Sequence, residues 1–357
     1  MNSLRTQIVS CAVAVLALCT ITACDVHEWP RDAYGDVEYE INLRFATQFP
    51  MYQEVIYTRA NYPALDPERA EPIAAHDARY VVRAFPAGER APDAAFRTFV
   101  FTGSSTEALD RTVSVSLPEG TWDLYVWTDF VDHGSIDDKY YTTGDFARIS
   151  YADLDTYGGS NHCREAFRGT ATIDITHPHR FMEDETLPAY SVTIDMQRPM
   201  GRFDFISTDV EEFVKQLGTL SSVSRADIDA KSLSRADLSE FRVVFRYNAF
   251  MPCTYNAFTD KPVDSWTGMS FESSLDVSDE GILLGFDHVL VNGQETVVNV
   301  SVEVYNGAGE MIASTPSIEV PVIRSKYTNV KGEFLTSKGS GGVSISPGFN
   351  GDYNIEI

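Results

Sequence analysis

A chain of 357 residues with 52 acidic and 28 basic side chains carries a formal net charge of −24 at pH 7. That balance leaves no basic face for a nucleic-acid backbone and favours solubility. With 43% hydrophobic and 12% aromatic residues the chain buries sizeable cores, and its length points to two of them. Its five cysteines include no Cys-x-x-Cys pair, which argues against dithiol redox chemistry and cysteine-type structural zinc.

An apolar run from Ile8 to Cys24, with Arg5 before it and Asp25 after it, opens the chain. A charged start followed by an apolar stretch too short to span a bilayer reads as a secretory signal. The end of the run, Ile21-Thr22-Ala23-Cys24, resembles the lipobox of bacterial lipoproteins. The resemblance implies cleavage before Cys24 and acylation of its thiol, and two or more acyl chains give stable anchoring. Residues 1–23 are expected to be the signal and 24–36 a tether. Cys11 and Cys19 leave with the signal, so Cys163 and Cys253 remain, either as a disulfide across the two halves or as two buried thiols.

Val37 to Phe45 alternates strictly and is expected to be the first strand, with Val37, Tyr39, Ile41, Leu43 and Phe45 on one face. Residues 50–77, rich in proline and charge, read as a long loop. Strand patterns return at Arg79–Phe85, Arg97–Thr102 and Thr112–Leu117. Pro118-Glu119-Gly120 reads as the turn of a hairpin into an aromatic strand, with Trp122, Leu124 and Val126 opposite Tyr125 and Trp127. Residues 129–157 break the rhythm as a polar and aromatic excursion. Strands at Ala166–Ile175, Ala189–Met196 and Gly201–Ile206 precede a short helix from Asp209 to Leu220. The second half has the same alternating grammar, with strands at Phe241–Tyr247, 281–289, 296–305, 311–322, around Leu335 and at Tyr353–Ile357. Met251–Thr267 reads as a loop, and Asn306–Gly309 as a hairpin turn. Even strand spacing with turn signals argues for all-β sandwiches, one over 37–198 and one over 199–357.

The segment Ile318 to Thr336, in which a strand with Pro321 leads through Arg324 to Thr328-Asn329-Val330-Lys331-Gly332, resembles the C-terminal signature of Bacteroidales fimbrillin-type lipoproteins. Arg198-Pro199 at the entry to the second domain, Pro118 to Trp127, and the closing Asp352–Ile357 are similar to other motifs of that family. The resemblance implies two transthyretin-like Greek-key β-sandwich domains in tandem, with the short helix in the second. It also implies a lipid-anchored protein of the outer membrane, at the cell surface or in a fimbrium, that acts in fimbrial assembly, anchoring or adhesion. The partners implied are the membrane, through Cys24, and other fimbrial subunits, through β-strand exchange. Subunits of the family lose an N-terminal segment after a basic residue; the positions offered here are Arg44, in a strand, and Arg59, in a loop. The alternative is a monomeric surface glycan-binding lipoprotein, with Trp127, Tyr140 and Tyr141 as the ligand surface together with Trp122 and Tyr151.

Chemistry of other kinds has weak signals. His162 and Cys163 beside Glu165 suggest a nucleophile with its base, but no third orienting group is evident. His177 and His179 followed by Glu183, Asp184 and Glu185 read better as a solvated hairpin than as a metal site. Asp129, Asp132, Asp137 and Asp138 lack calcium-loop spacing. No catalytic or phosphate-loop motif occurs. The expectation is a protein that is not an enzyme and needs no cofactor or metal.

Overall fold

The computed structural model describes residues 35–45, 76–89, 95–104, 109–176, 190–220, 238–278, 281–336 and 353–356. The expectations for Cys24, Arg59, His177, His179, Glu183, Asp184 and Glu185 lie outside these residues. The fold is all-β, built of sandwiched sheets, with α1 (Val210–Leu220) as a helix of the second half.

Strand β1 (Val37–Phe45) buries all five of the alternating apolar side chains. It is the middle strand of three, antiparallel to β4 (Arg111–Leu117) and parallel to β9 (Ser191–Met196). Facing it is an antiparallel sheet in the order β3 (Arg97–Ser104), β2 (His76–Pro86), β5 (Gly120–Asp132), β8 (Phe167–Ile175). Ile41, Val82, Val113, Leu124 and Val126 fill the space between them. The Pro118–Gly120 turn is therefore not a hairpin. It carries the chain from one sheet to the other, because β4 pairs with β1 while β5 pairs with β2 and β8. Gly120 takes φ +146° there, a conformation open to glycine, and Trp122 Nε1 donates to the Pro118 carbonyl at 3.0 Å.

The second half is organised around β10 (Met200–Ser207). It lies between β16 (Gly281–Leu290), antiparallel, and β20 (Tyr327–Gly332), parallel. The short β15 (Asp276–Ser278) and β21 (Tyr353–Glu356) complete this sheet. Opposite stands β14 (Ser270–Ser274), β11 (Arg242–Tyr247) and β17 (Glu295–Tyr305), and β17 also pairs with β18 (Met311–Ser314) and β19 (Ile318–Ile323). The run expected over 311–322 is thus two strands, and the strand expected around Leu335 ends instead at Gly332. Helix α1 packs Phe213 edge-on against Phe241, ring centroids 5.3 Å apart. Asp209, just before this helix, accepts from the Thr336 N–H and O–H at 2.7 and 2.6 Å, pinning the end of that segment.

A further sheet joins the halves. Strands β6 (Tyr141–Thr142) and β7 (Ile149–Tyr151) come from the polar excursion, and β12 (Met251–Asn256) and β13 (Lys261–Trp266) from the stretch expected to be a loop. Two prolines hid this hairpin. Pro252 sits beside a register irregularity in β12 and Pro262 lies on the edge strand, the positions where a sheet tolerates a missing N–H. As a result β5 is buried on both faces: Trp122, Leu124 and Val126 enter the first core, and Tyr125 and Trp127 enter a second that runs on into the other half.

Candidate functional site

Charged and aromatic side chains concentrate on this seam. Arg164 follows a tight turn at His162 and is completely buried. Its guanidinium lies over the rings of Tyr157, at 4.1 Å, and Tyr151, at 4.8 Å, and Nη1 donates to both oxygens of Asp153 at 3.0 and 2.8 Å. The Arg164 carbonyl accepts the Tyr141 hydroxyl. Ring faces and a carboxylate together offset part of the cost of taking this charge out of water.

Asp287, buried on β16, accepts from the Tyr157 hydroxyl at 3.0 and 2.8 Å, the Tyr247 hydroxyl at 2.6 Å and the His288 N–H at 2.8 Å. Burial pushes its carboxyl up to about 6, against the pull of Arg164 and the two hydroxyls. Beside it His288, also buried, is held far below the usual imidazole range by burial and then by Arg202. Around this centre other ions are fastened in pairs. Arg198 donates to buried Glu165; Arg202 grips Asp204 at 2.5 and 2.7 Å and lies 3.8 Å over the Phe286 ring. Arg324 bridges the Arg198 carbonyl, at 2.7 Å, to both oxygens of Asp260. On the first half Arg79 holds Asp129 at 2.9 and 2.6 Å and Asp138 at 2.8 Å. Such two-pronged arginine contacts fix geometry as well as charge within each half; the halves themselves meet where Tyr157 binds Asp287 and where Arg324 reaches the Arg198 carbonyl.

A groove of about 610 Å³ opens beside the seam, lined among others by Tyr140, Asn161, His162, Arg242, Glu272 and Phe286. Its aromatic faces are taken. Tyr140 stacks on His76 at 5.7 Å with Lys139 and Arg164 about its ring, and Phe286 has Arg202 and His162 against it.

The expected ligand surface is corrected by burial: Trp127 and Tyr141 are inside the joined core and Tyr140 alone borders the groove. Trp122 and Tyr151 are buried as well. Cys163 and Cys253 are two buried free thiols, so the disulfide is not formed. Burial pushes the Cys163 thiol up to about 12, which disfavours a thiolate, and Glu165 is tied to Arg198. Three of the four acids are matched to cations, Asp129 and Asp138 to Arg79 and Asp132 to Lys139 at 2.5 Å, and Asp137 accepts from the Ser135 hydroxyl at 3.3 Å. Among the described residues no three His, Cys, Asp or Glu converge as a metal site, and no helix is long and apolar enough to cross a membrane. Arg44 is exposed inside β1, opposite Asp195 of β9. Asp287 and Arg164 were missed; the available signal was a lone Asp-His in an otherwise apolar strand, Gly285 to Leu290.

Fold and seam define a double β-sandwich protein whose halves meet at a buried carboxylate, Asp287, bound by Tyr157 of the first half and Tyr247 of the second. Residues 35–357 match the model of a family described as a family of unknown function, DUF6562, and the chain belongs to that family. No curated protein matches it. Solved structures similar to it include a candidate adhesin from Bacteroides ovatus, 9% identical, covering 78% of this chain and 75% of that one with a TM-score of 0.38. The fimbrial anchor protein Mfa2 from Porphyromonas gingivalis is 13% identical, covering 78% and 81% with a TM-score of 0.37. A candidate polysaccharide-binding protein from Bacteroides thetaiotaomicron is 8% identical, covering 77% and 79% with a TM-score of 0.39.

Proposed function

We propose that this chain is a fimbrillin-type surface lipoprotein, held to the outer membrane through Cys24, that acts in fimbrial assembly, anchoring or adhesion by exchanging β-strands, without catalysis. The observation that carries the reading is the place of β1. It follows directly on the proposed tether, yet it is inserted between β4 and β9, with β9 some 150 residues away in sequence. A strand held this way leaves, when it departs, a groove with a hydrogen-bonding edge on each side and apolar sockets at alternate positions, and another chain's strand fits it. Arg44 favours an anchor over a trimmed subunit: it sits within the paired part of β1, so cleavage there requires the strand to leave the sheet first.

The test is the mature N-terminus, read by mass spectrometry from washed outer membranes and from sheared surface material. Acylated Cys24 confined to membranes, with a detergent-stable ladder that collapses on boiling, supports an anchor that exchanges strands. A chain beginning after Arg44 or Arg59 in sheared material means a polymerised subunit. A monomeric chain with no ladder in either fraction refutes strand exchange.

A further inference from the structure

We propose that Asn292-Gly293, in the turn between β16 and β17, is a self-modification site at which the asparagine amide is lost and a carboxylate takes its place. The same residue pair recurs at Asn306-Gly307 and at Asn350-Gly351, the last outside the described residues. An asparagine before glycine can react with the following backbone nitrogen because glycine has no side chain to shield it. What separates the two described pairs is how each carboxamide is held.

Asn306 is fastened. Its Oδ1 accepts from the Ala308 N–H at 3.0 Å and the Glu310 N–H at 2.9 Å, and its Nδ2 donates to Glu310 Oε2 at 3.0 Å. The backbone closes the same turn: the Asn306 N–H reaches the Glu310 carbonyl and the Gly309 N–H reaches the Asn306 carbonyl, both at 2.9 Å. An added Cβ at Gly307 stands 3.4 Å from Glu240, so that side of the peptide is covered.

Asn292 differs at each point. It is exposed, and an added Cβ at Gly293 meets nothing within 4 Å. Its backbone is tied, the N–H donating to the Thr296 hydroxyl at 2.9 Å, but among the described residues no hydrogen bond holds its carboxamide. The side chain can therefore turn onto the Gly293 nitrogen while the turn stays in place.

The step balances with solvent water alone. The Gly293 nitrogen bonds to Asn292 Cγ, the Cγ–Nδ2 bond breaks, and ammonia leaves with the proton from the Gly293 amide. Water then opens the cyclic imide at one of its two carbonyls, leaving aspartate or isoaspartate. The turn is pinned on both flanks, by the Val291 N–H to the Pro199 carbonyl and the Arg324 N–H to the Gln294 carbonyl, both at 2.9 Å. Isoaspartate sets one extra carbon into the chain between those pins. Either product adds a carboxylate to the wall of a groove of about 660 Å³ that Glu295 and the exposed Phe250 and Val297 share.

The experiment incubates the full chain at mildly alkaline pH, native and in urea, and digests samples with a glutamyl endopeptidase, which separates 281–295 from 304–310. Conversion is read by mass and by isoaspartyl methyltransferase labelling. In the native chain Asn292 is expected to convert at least about tenfold faster than Asn306, where three side-chain hydrogen bonds must break first. In urea the two rates are expected to converge. N292Q, whose longer side chain closes the ring far less readily, is expected to abolish labelling of 281–295 with unchanged circular dichroism, and E310A to speed conversion at Asn306. Equal rates in the native chain, or a faster Asn306, overturn the proposal. So does an Asn292 that reacts only in urea, or a difference that persists there.

Discussion

The Tyr157 hydroxyl donates to Asp287 across 130 residues of sequence, at 3.0 and 2.8 Å to the two carboxylate oxygens. Tyr247 reaches the same carboxylate from a second strand. This shared acceptor ties the excursion of the first sandwich to both sheets of the second.

Removing one hydroxyl leaves a buried carboxylate short of a donor. Tyr157→Phe is expected to destabilise the chain by about 2 kcal/mol in urea denaturation, the cost of a lost bond to a charged group. Tyr157→Phe with Tyr247→Phe is expected to depart from the sum of the two by at least about 0.5 kcal/mol, because both act on one carboxylate. Strict additivity would mean the two tyrosines stabilise the fold independently.

The pH dependence follows from burial of the same group. The folded carboxyl of Asp287 sits near about 6, above the value of about 3.9 for an unfolded chain. The folded state therefore binds this proton more tightly, and the contribution of Asp287 to stability grows as pH falls through 6 and levels off near the unfolded value. Relative to Asp287→Asn, the wild-type chain is expected to gain about 1 to 2 kcal/mol between pH 7.5 and 5. Denaturation at the two pH values checks this, and a relative loss on acidification would reverse the assignment.

Both thiols are shielded. Cys163 and Cys253 are expected to resist a maleimide in the native chain and to label together once it is unfolded in urea, with no prior reduction needed. Labelling that appears only after a reductant would show that the two are paired.

At Gly201, in β10, an added Cβ runs into the Ile323 carbonyl. Because the obstacle is backbone, Gly201→Ala is expected to cost about 3 kcal/mol, read as a lower melting temperature. Gly144, where a Cβ meets nothing within 4 Å, serves as the neutral control.

Local alternation made much of the architecture legible. The five inward positions of β1 and the two-faced pattern of β5 follow from period-two burial, and each is found where the pattern puts it. The β12–β13 hairpin was hidden because proline and short polar residues dominate its sequence, while its strand character comes from β7 beside it and a bulge that accommodates Pro252. Trp127 and Tyr141 looked like a surface because their segment is rich in acids. Asp129, Asp132 and Asp138 are absorbed by Arg79 and Lys139, a pairing that sequence distance conceals.

By itself, then, the sequence determined the strand-rich class, the faces that β1 and β5 turn inward and the apolar N-terminal run ending at Cys24, because each depends on neighbours within a few residues. Which sheet a strand joins, whether Pro118–Gly120 turns back or crosses over, and which arginine meets which acid were decided only in the tertiary structure. Those outcomes depend on free-energy differences between partners far apart in the chain, and in the seam the balance is set by burial: a charge removed from water holds only where a matching group is already in place.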